Sequence, residues 1–520
     1  TITLANGTLQ LIPGITIHGP GFEQLSISAG GTGRVFELPD NSMMHPGDVI
    51  DHVTITGGVV RGTDGADGAA GGAPGAVGSA GGDGGNAGGG CINVGTYRSL
   101  DLVNTVVKTC FALAGHGGAG GAGAQGAGGT NNNQTVGVGG SGEAGGKGGA
   151  GGKGGSGFGG AISIQGHGRL TLNASTIMDS YAVGGAAGVG GPGGAGGTGG
   201  TGGPAACAVI TPGGPCVPFG AGGSGGAGGP GGDGGVGGAM GFSVGGAVAA
   251  WGQLITLNST IIDNTVINGM AFFGPRPMGG AGGLRGVGGA GGAGGSGPSP
   301  GATGAAGTAG VGGIGGSGGV VEGGAVFHYN TDTDNGSLLE HSTVAFNDVI
   351  AGLPGLGSNG SGSGAEGWNS GGGIQNQAGG VITYWNSIIA ANDRTDSANA
   401  VHLNNCTMNG AATQKNDNLS DDSSCGVDTV ADAKLAPPRA GDAPWAWGGN
   451  NMPVVMPLPD SPAIDGAKVV TQIGDVAHGG CATNVDERGV ARPLPGILMP
   501  VPCDLGAVES DLIFVNGFEL

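Results

Sequence analysis

Tracts in which two glycines alternate with one other residue dominate this chain, at about 64–90, 115–160, 184–243, 279–323 and 352–373. They are the reason it carries 135 glycines in 520 residues, against a usual share of roughly 7%. Such segments bury little apolar surface, so their backbone N–H and C=O groups must satisfy one another. Collagen would need Gly-X-Y with abundant proline, and the chain has only 27 prolines. A flexible-linker composition does not account for the steady three-residue phase. The polyproline-II helix also has three residues per turn, and glycine at two positions in three lets such helices approach closely. The tracts are therefore predicted to be ordered polyglycine-II arms of about 15–22 residues, reaching roughly 45–65 Å. Ordering glycine is entropically costly, and a scaffold that fixes the arm roots in register would offset that cost. Breaks at 130–135, 204–219 and 297–303 predict that three of the tracts are hairpins with the break at the tip.

Between the tracts lie repeated units, the signature of a solenoid. Five open on glycines followed by an apolar run: Gly89-Gly90-Cys91-Ile92, Gly159-Gly160-Ala161-Ile162, Gly245-Gly246-Ala247-Val248, Gly323-Gly324-Ala325-Val326 and Gly372-Gly373-Ile374. The strand-like pieces that follow align in columns. A hydroxyl column reads Thr105, Ser175, Ser259, Ser342, Ser387. Two residues on, an aliphatic column reads Val107, Ile177, Ile261, Val344, Ile389. Three further on the column reads Cys110, Ser180, Asn264, Asn347, Asn392. Short β-branched runs of period two are strands. The expected fold is all-β, a right-handed parallel β-helix whose glycine-rich insertions form a polyglycine-II bundle. Coils interleaved with arms are expected over 1–400, and a closing segment with a strand-like tail over 401–520.

The net charge of −20 disfavours nucleic acid and anionic membranes as partners, and there is no apolar run long enough to span a membrane. Eight cysteines in close pairs, Cys91/Cys110, Cys207/Cys216, Cys406/Cys425 and Cys481/Cys503, suggest disulfides and an oxidising compartment, although eight cysteines allow about 105 connectivities. No CxxC motif points to structural zinc. The chain opens directly on Thr1-Ile2-Thr3-Leu4, which is what a processed or trimmed mature chain would be expected to show.

Many β-helices act on polysaccharides, which requires two carboxylates about 5–9.5 Å apart in a cleft. The candidates are Asp332 with Asp334, Asp393 with Asp396, and Asp421 with Asp422, all in turn-like sequence, with Arg394 beside Asp393 the one basic partner a lyase could use. They read as solvated turns, so no catalytic or cofactor-binding residue is assigned and the chain is not expected to be an enzyme. Calcium has one conceivable place, Asp332-Thr333-Asp334-Asn335-Gly336, whose spacing fails the EF-hand pattern. His116 and His167 read as loop residues. Lys147 and Lys153 occupy X positions and belong on the surface. Asp486, Arg488 and Arg492 look like a structural ion-pair and turn network.

The Leu170-Thr171-Leu172-Asn173-Ala174-Ser175-Thr176-Ile177 repeat, with its Gly-Gly-Ala-Ile opening, resembles polymorphic outer-membrane-type β-helix proteins. Ser461–Asp465, Asp486–Pro493 and Cys503–Glu509 look like the closing signature of bacterial choice-of-anchor Q domain proteins, and 15–28 resembles their first coils. The tail 513–519 is similar to a short terminal motif of some secreted proteobacterial proteins. The arms resemble the polyglycine sandwiches of phage adhesin tips and the glycine-rich antifreeze proteins of springtails. The resemblance implies a secreted or cell-surface bacterial β-helix. The expected function is structural or adhesive, through association of copies end to end into a filament or matrix. The alternatives are arms that bind a surface such as ice or glycan, or a carbohydrate-active enzyme. The strands expected to join copies are Thr1, Ile2, Thr3 and Leu4 at one end and Leu512, Ile513, Phe514 and Val515 at the other, by β-augmentation. Cell-surface or matrix glycans are the second class of partner.

Overall fold

Strands of a few residues, many of them followed by a left-handed corner, wind the chain into a solenoid. The computed structural model describes residues 1–44, 46–209, 215–218, 220–268, 281–329, 336–415, 417–427, 429–436, 452–467, 485–492 and 503–510. Three parallel sheets run its length. Sheet I extends from Ile2–Thr3 to Thr429–Val430, sheet II from Leu9–Gln10 to Cys406–Met408, and sheet III from Thr16–His18 to Ala411–Lys415. One coil reads Ile92–Val94 in sheet II, Ser99–Val103 in sheet III and Val106–Leu113 in sheet I. The next repeats it as Ile162–Ile164, Arg169–Asn173 and Thr176–Gly184, paired residue for residue. Stacking continues past residue 400, through Cys406–Met408, Ala411–Lys415 and Leu419–Ser420.

The corner from sheet III to sheet I is a column of positive φ at His52, Asn104, Ala174, Asn258, His341 and Asn386. A second column, Thr109, Asp179, Asp263, Phe346 and Ala391, bends sheet I in the middle. Positive φ at a β-branched or bulky residue such as Thr109 or Phe346 is uncommon, and it persists here because the coil on either side holds the same bend. The Gly-Gly openings form the third corner. Gly159 has φ 58° and Gly245 φ 67°, and a Cβ on Gly160 would lie 2.1 Å from the carbonyl oxygen of Gly246 in the next coil.

The columns predicted from sequence stack as expected. Val107, Ile177, Ile261, Val344 and Ile389 are buried in the solenoid core. The hydroxyl column is a ladder: the N–H of Thr105 donates to Ser175 Oγ (3.1 Å) and that of Ser175 to Ser259 Oγ (3.2 Å). In the amide column the N–H and Nδ2 of Asn264 both donate to Asn347 Oδ1 (3.0 Å each), and those of Asn347 to Asn392 Oδ1 (3.1 and 2.9 Å). Each Nδ2 also donates to backbone carbonyls, as Asn264 does to Ile262 (2.8 Å) and Asn347 to Ala345 (2.8 Å), so the buried amides are satisfied within and between coils. Cys91 and Cys110 are joined across one coil, and Cys406 and Cys425 across another. Cys207 and Cys503 each take part in a disulfide of their own. The side chain of Cys216, and Cys481 entirely, lie outside the described residues.

Every arm leaves the solenoid after sheet I, at the same corner of successive coils. Each returns through a short strand of a fourth parallel sheet, Ala87–Gly88, Gly157–Phe158, Ser243–Val244, Val320–Glu322 and Trp368–Ser370. All five tracts fold back on themselves, not only the three predicted as hairpins: the first turns at Ala73–Ala76, on Pro74-Gly75, and the last at Ser358–Ser361, on Asn359-Gly360. Between the arms, hydrogen bonds recur every third residue. Gly65, Gly68 and Gly71 donate to the carbonyls of His116, Ala119 and Ala122, and Gly117, Gly120 and Gly123 to those of Ala186, Val189 and Pro192. Near the tip of the third tract, Cys207–Val209 and Cys216–Pro218 pair antiparallel.

Residues 452–467, 485–492 and 503–510 fold back along the flank of sheet I. Met452, Val454, Ala507 and Val508 pack on Phe22 and Val106, the N–H of Gly506 donates to the carbonyl of Asn386 (2.8 Å), and Thr176 and Thr260 donate to the Glu487 carboxylate (2.9 and 2.5 Å). Arg488 bonds Asp486 (2.8 Å) with both side chains buried, and Arg492 lies 3.5 Å from Glu509.

Interior arm glycines admit no side chain: a Cβ on Gly191 or Gly235 would lie 2.0 or 1.9 Å from a neighbouring carbonyl oxygen. Gly191→Ala and Gly235→Ala should each lower unfolding stability by roughly 2 kcal/mol or more, whereas Gly72→Ala, where a Cβ meets open space, should stay within about 0.5 kcal/mol. Denaturant unfolding of the three variants checks this.

Candidate functional site

The triplet Gly120-Gly121-Ala122 shows how the arms build a surface. The N–H of Gly120 donates to Val189 in the next outgoing arm, and that of Gly121 to Ser79 in a returning arm. The carbonyls of Gly121 and Ala122 accept from Gly149 and Gly71. Outgoing arms thus bond to outgoing arms, returning arms to returning arms, and the second glycine of each triplet ties the two layers together. The side chain and N–H of the X residue are left to the outside. The bundle therefore presents two outer faces, each a grid with one side chain every third residue along an arm and one arm per coil.

Most grid positions hold small residues; the larger ones are apolar side chains on both faces, together with Lys147, Lys153 and a set of Asp and Asn residues. The outgoing face carries Val189, Leu284, Val287 and Leu356, and the returning face Val77, Val236, Val311 and Ile314. Leu284, Val287 and Val311 are 63%, 67% and 65% exposed.

Asp and Asn at X positions act as staples. The N–H of an X residue has no place in the ladder, and the carboxylate or amide on the preceding arm accepts it. The N–H of His116 donates to Asp64 (2.8 Å), Ala119 to Asp67 (2.8 Å), Lys153 to Asp83 (2.7 Å), Thr201 to Asn131 (2.9 Å) and Val311 to Asp233 (2.9 Å). Asp233 also pairs with Lys147 at 3.1 Å; the backbone bond from Val311, then Lys147, lowers its pKa. Sequence reasoning missed these roles, whose signal was an acidic or amide residue in phase with the X positions.

Of the carboxylates weighed as catalytic pairs, Asp396, Asp421 and Asp422 cap backbone, and Asp393 stands in register with Asp348 in sheet I. Asp396 accepts from the N–H groups of Ala398 and Ala400 and contacts His402. Asp421 accepts from Ala391, and Asp422 from Asn405. Arg394 reaches Asn369 at 3.4 Å. Asp332 and Asp334, and with them the calcium candidate, lie outside the described residues, as do Leu512, Ile513, Phe514 and Val515. Ile2–Thr3 is an exposed strand paired with Ser26–Ser28. His18, Asp51 and His52 come together at one corner; they belong to adjacent coils, and no motif in the sequence joins them.

The fold and these faces define an all-β protein, a parallel β-helix with a hydrogen-bonded glycine bundle. No family model and no curated protein matches the chain. Among solved structures it is similar to a springtail antifreeze protein from Granisotoma rainieri, described as a nine polyproline type II helical bundle. The identity is 24%, covering 47% of this chain and 94% of that one. The TM-score is 0.10, and the likeness carries no argument here.

A row of carboxylates along the bend of sheet I has a pH signature. Burial first, then Asp393 and Asp263, push Asp348 up to about 6; burial and then Asp421 raise Asp393. A carboxyl whose folded pKa is raised adds stability that is complete below its unfolded value and lost as pH climbs through the folded one. The melting temperature should therefore fall between pH 5 and pH 7.5. Asp348→Asn should flatten that fall and melt higher at pH 7.5, as thermal melts across this range would show.

Proposed function

We propose that this chain is an extracellular structural or adhesive protein, in which the β-helix is the spine and the outer faces of the glycine bundle are the contact surface. The observation that carries the reading is the two-dimensional grid of X residues, mostly small with apolar side chains on both faces, held at fixed spacing by backbone hydrogen bonds. A rigid repeating face matches a partner that itself repeats, such as a crystalline polysaccharide or ice, and little entropy is lost on contact because the grid is ordered beforehand. The disulfides favour an oxidising, extracellular setting, and the closing segment's resemblance to choice-of-anchor Q domains favours a bacterial surface. Among the described residues no helix is long and apolar enough to cross a membrane. Self-association into a filament is a second mode of the same structural role, suggested by the resemblance of the sequence tail to an added strand.

Lysine already occupies X positions at Lys147 and Lys153, so Val236→Lys and Leu284→Lys should leave the bundle folded while placing a charge in the middle of each face. The full chain should co-sediment with crystalline chitin or cellulose, or adsorb to ice. At least one of these variants should lose about tenfold or more of that binding, with an unchanged circular dichroism spectrum. Equal binding by both variants and the parent chain, or no binding of the parent to any of these surfaces, would contradict the proposal.

A further inference from the structure

Thr16–His18 and Asp48–Asp51 are neighbouring strands of sheet III, and their register sets His18 opposite Asp51. The next residue, His52, has φ 55°, and this left-handed corner turns its ring toward the same pair. His18 Nδ1 lies 2.7 Å from Asp51 Oδ1, and His52 Nδ1 3.6 Å from Asp51 Oδ2. The two rings stand edge to face at 5.4 Å, and one donor atom from each of the three side chains falls within 4.8 Å of the others.

We propose that His18, Asp51 and His52 bind a divalent transition-metal ion of the zinc class. Two imidazoles and a carboxylate are the donors such ions take, whereas calcium and magnesium want an all-oxygen shell. Bonds of about 2.0–2.1 Å in tetrahedral geometry put neighbouring donors about 3.3 Å apart; the two distances to Asp51 bracket that value, so small side-chain rotations complete the site. An independent observation points the same way. His52 Nδ1 is shielded from solvent and has no hydrogen-bond partner, since 3.6 Å to Asp51 is too long for a bond. Asn104, one coil on in the same corner column, holds the ring from behind at Nε2 (3.4 Å), which leaves Nδ1 as the nitrogen that faces Asp51 and His18. A buried imidazole nitrogen with nothing to bond is costly, and a metal ion would use it. His18 is largely exposed, so a fourth position stays open to water. The ion would clamp the first coil to the second, where Thr16–His18 has little burial of its own.

The test is calorimetric titration of the full, untagged chain with zinc chloride, with calcium and magnesium as controls, alongside thermal melts and cobalt(II) absorption. His52→Asn is the key variant, because Asn104, Asn258 and Asn386 hold the same left-handed corner in other coils, so the fold is kept; His18→Gln is its partner. The parent chain should bind one zinc ion, melt higher with zinc, and give the intense visible bands of tetrahedral cobalt. Each variant should bind zinc at least about tenfold more weakly and lose the thermal shift. Zinc binding and a thermal shift equal to the parent's in both variants would overturn the proposal, as would a parent chain that binds no zinc or prefers calcium.

Discussion

The backbone N–H···O=C bond between glycine arms is the interaction on which the rest of the structure depends. An isolated polyglycine-II helix has no internal hydrogen bonds and would be a solvated coil. Here each arm begins one coil above the last, and the same bond lengths of about 2.8 Å that space the strands of the solenoid also space the arms. The scaffold thereby supplies register before any arm contact forms. The large backbone entropy lost by glycine is offset by many bonds made together. The cost is intolerance: a single Cβ on an interior glycine would sit about 2 Å from a carbonyl oxygen, as at Gly191 and Gly235.

The solenoid obeys a parallel rule, in that whatever one coil places at a position the next must accommodate. Asn264, Asn347 and Asn392 pass hydrogen bonds up the axis, and the left-handed corners recur even where the residue is Ala174 or Phe346 rather than glycine. A prediction such as the pH-dependent softening at Asp348 follows from the same stacking, because repetition brings Asp348 level with Asp393. Function follows from repetition as well. A grid of X side chains is a surface that no single loop could build, and the proposed adhesive role needs nothing more than that grid and its rigidity.

Much of this was legible in the sequence because it repeats. The columns at Ser175, Ile177 and Asn264 and their equivalents aligned by index alone, and the Gly-Gly-X phase announced both the helix type and its need for neighbours. Other features depend on which coil lies beside which. The turn at Ala73–Ala76 is marked only by Pro74-Gly75, a short turn signal without a longer compositional break around it. The bonds from His116 and Ala119 to Asp64 and Asp67 cross from one arm to the next, 52 residues away. His18 meets Asp51 and His52 only once two coils stack in the register observed. The closing segment at 452–510 reads as a turn network in sequence, but its seat on Phe22 and Val106 is a long-range contact that no local pattern encodes.

Amide hydrogen exchange along the arms tests the central claim most directly. Protection should have a period of three: the two glycine N–H groups of each triplet should exchange slowly, and the X N–H fast, as at Ala122 and Ala150. The exceptions should be the stapled positions His116, Ala119, Lys153, Thr201 and Val311, which should exchange slowly as well. Uniformly fast exchange through 115–155 and 184–203, or protection without the three-residue period, would contradict a hydrogen-bonded polyglycine-II bundle.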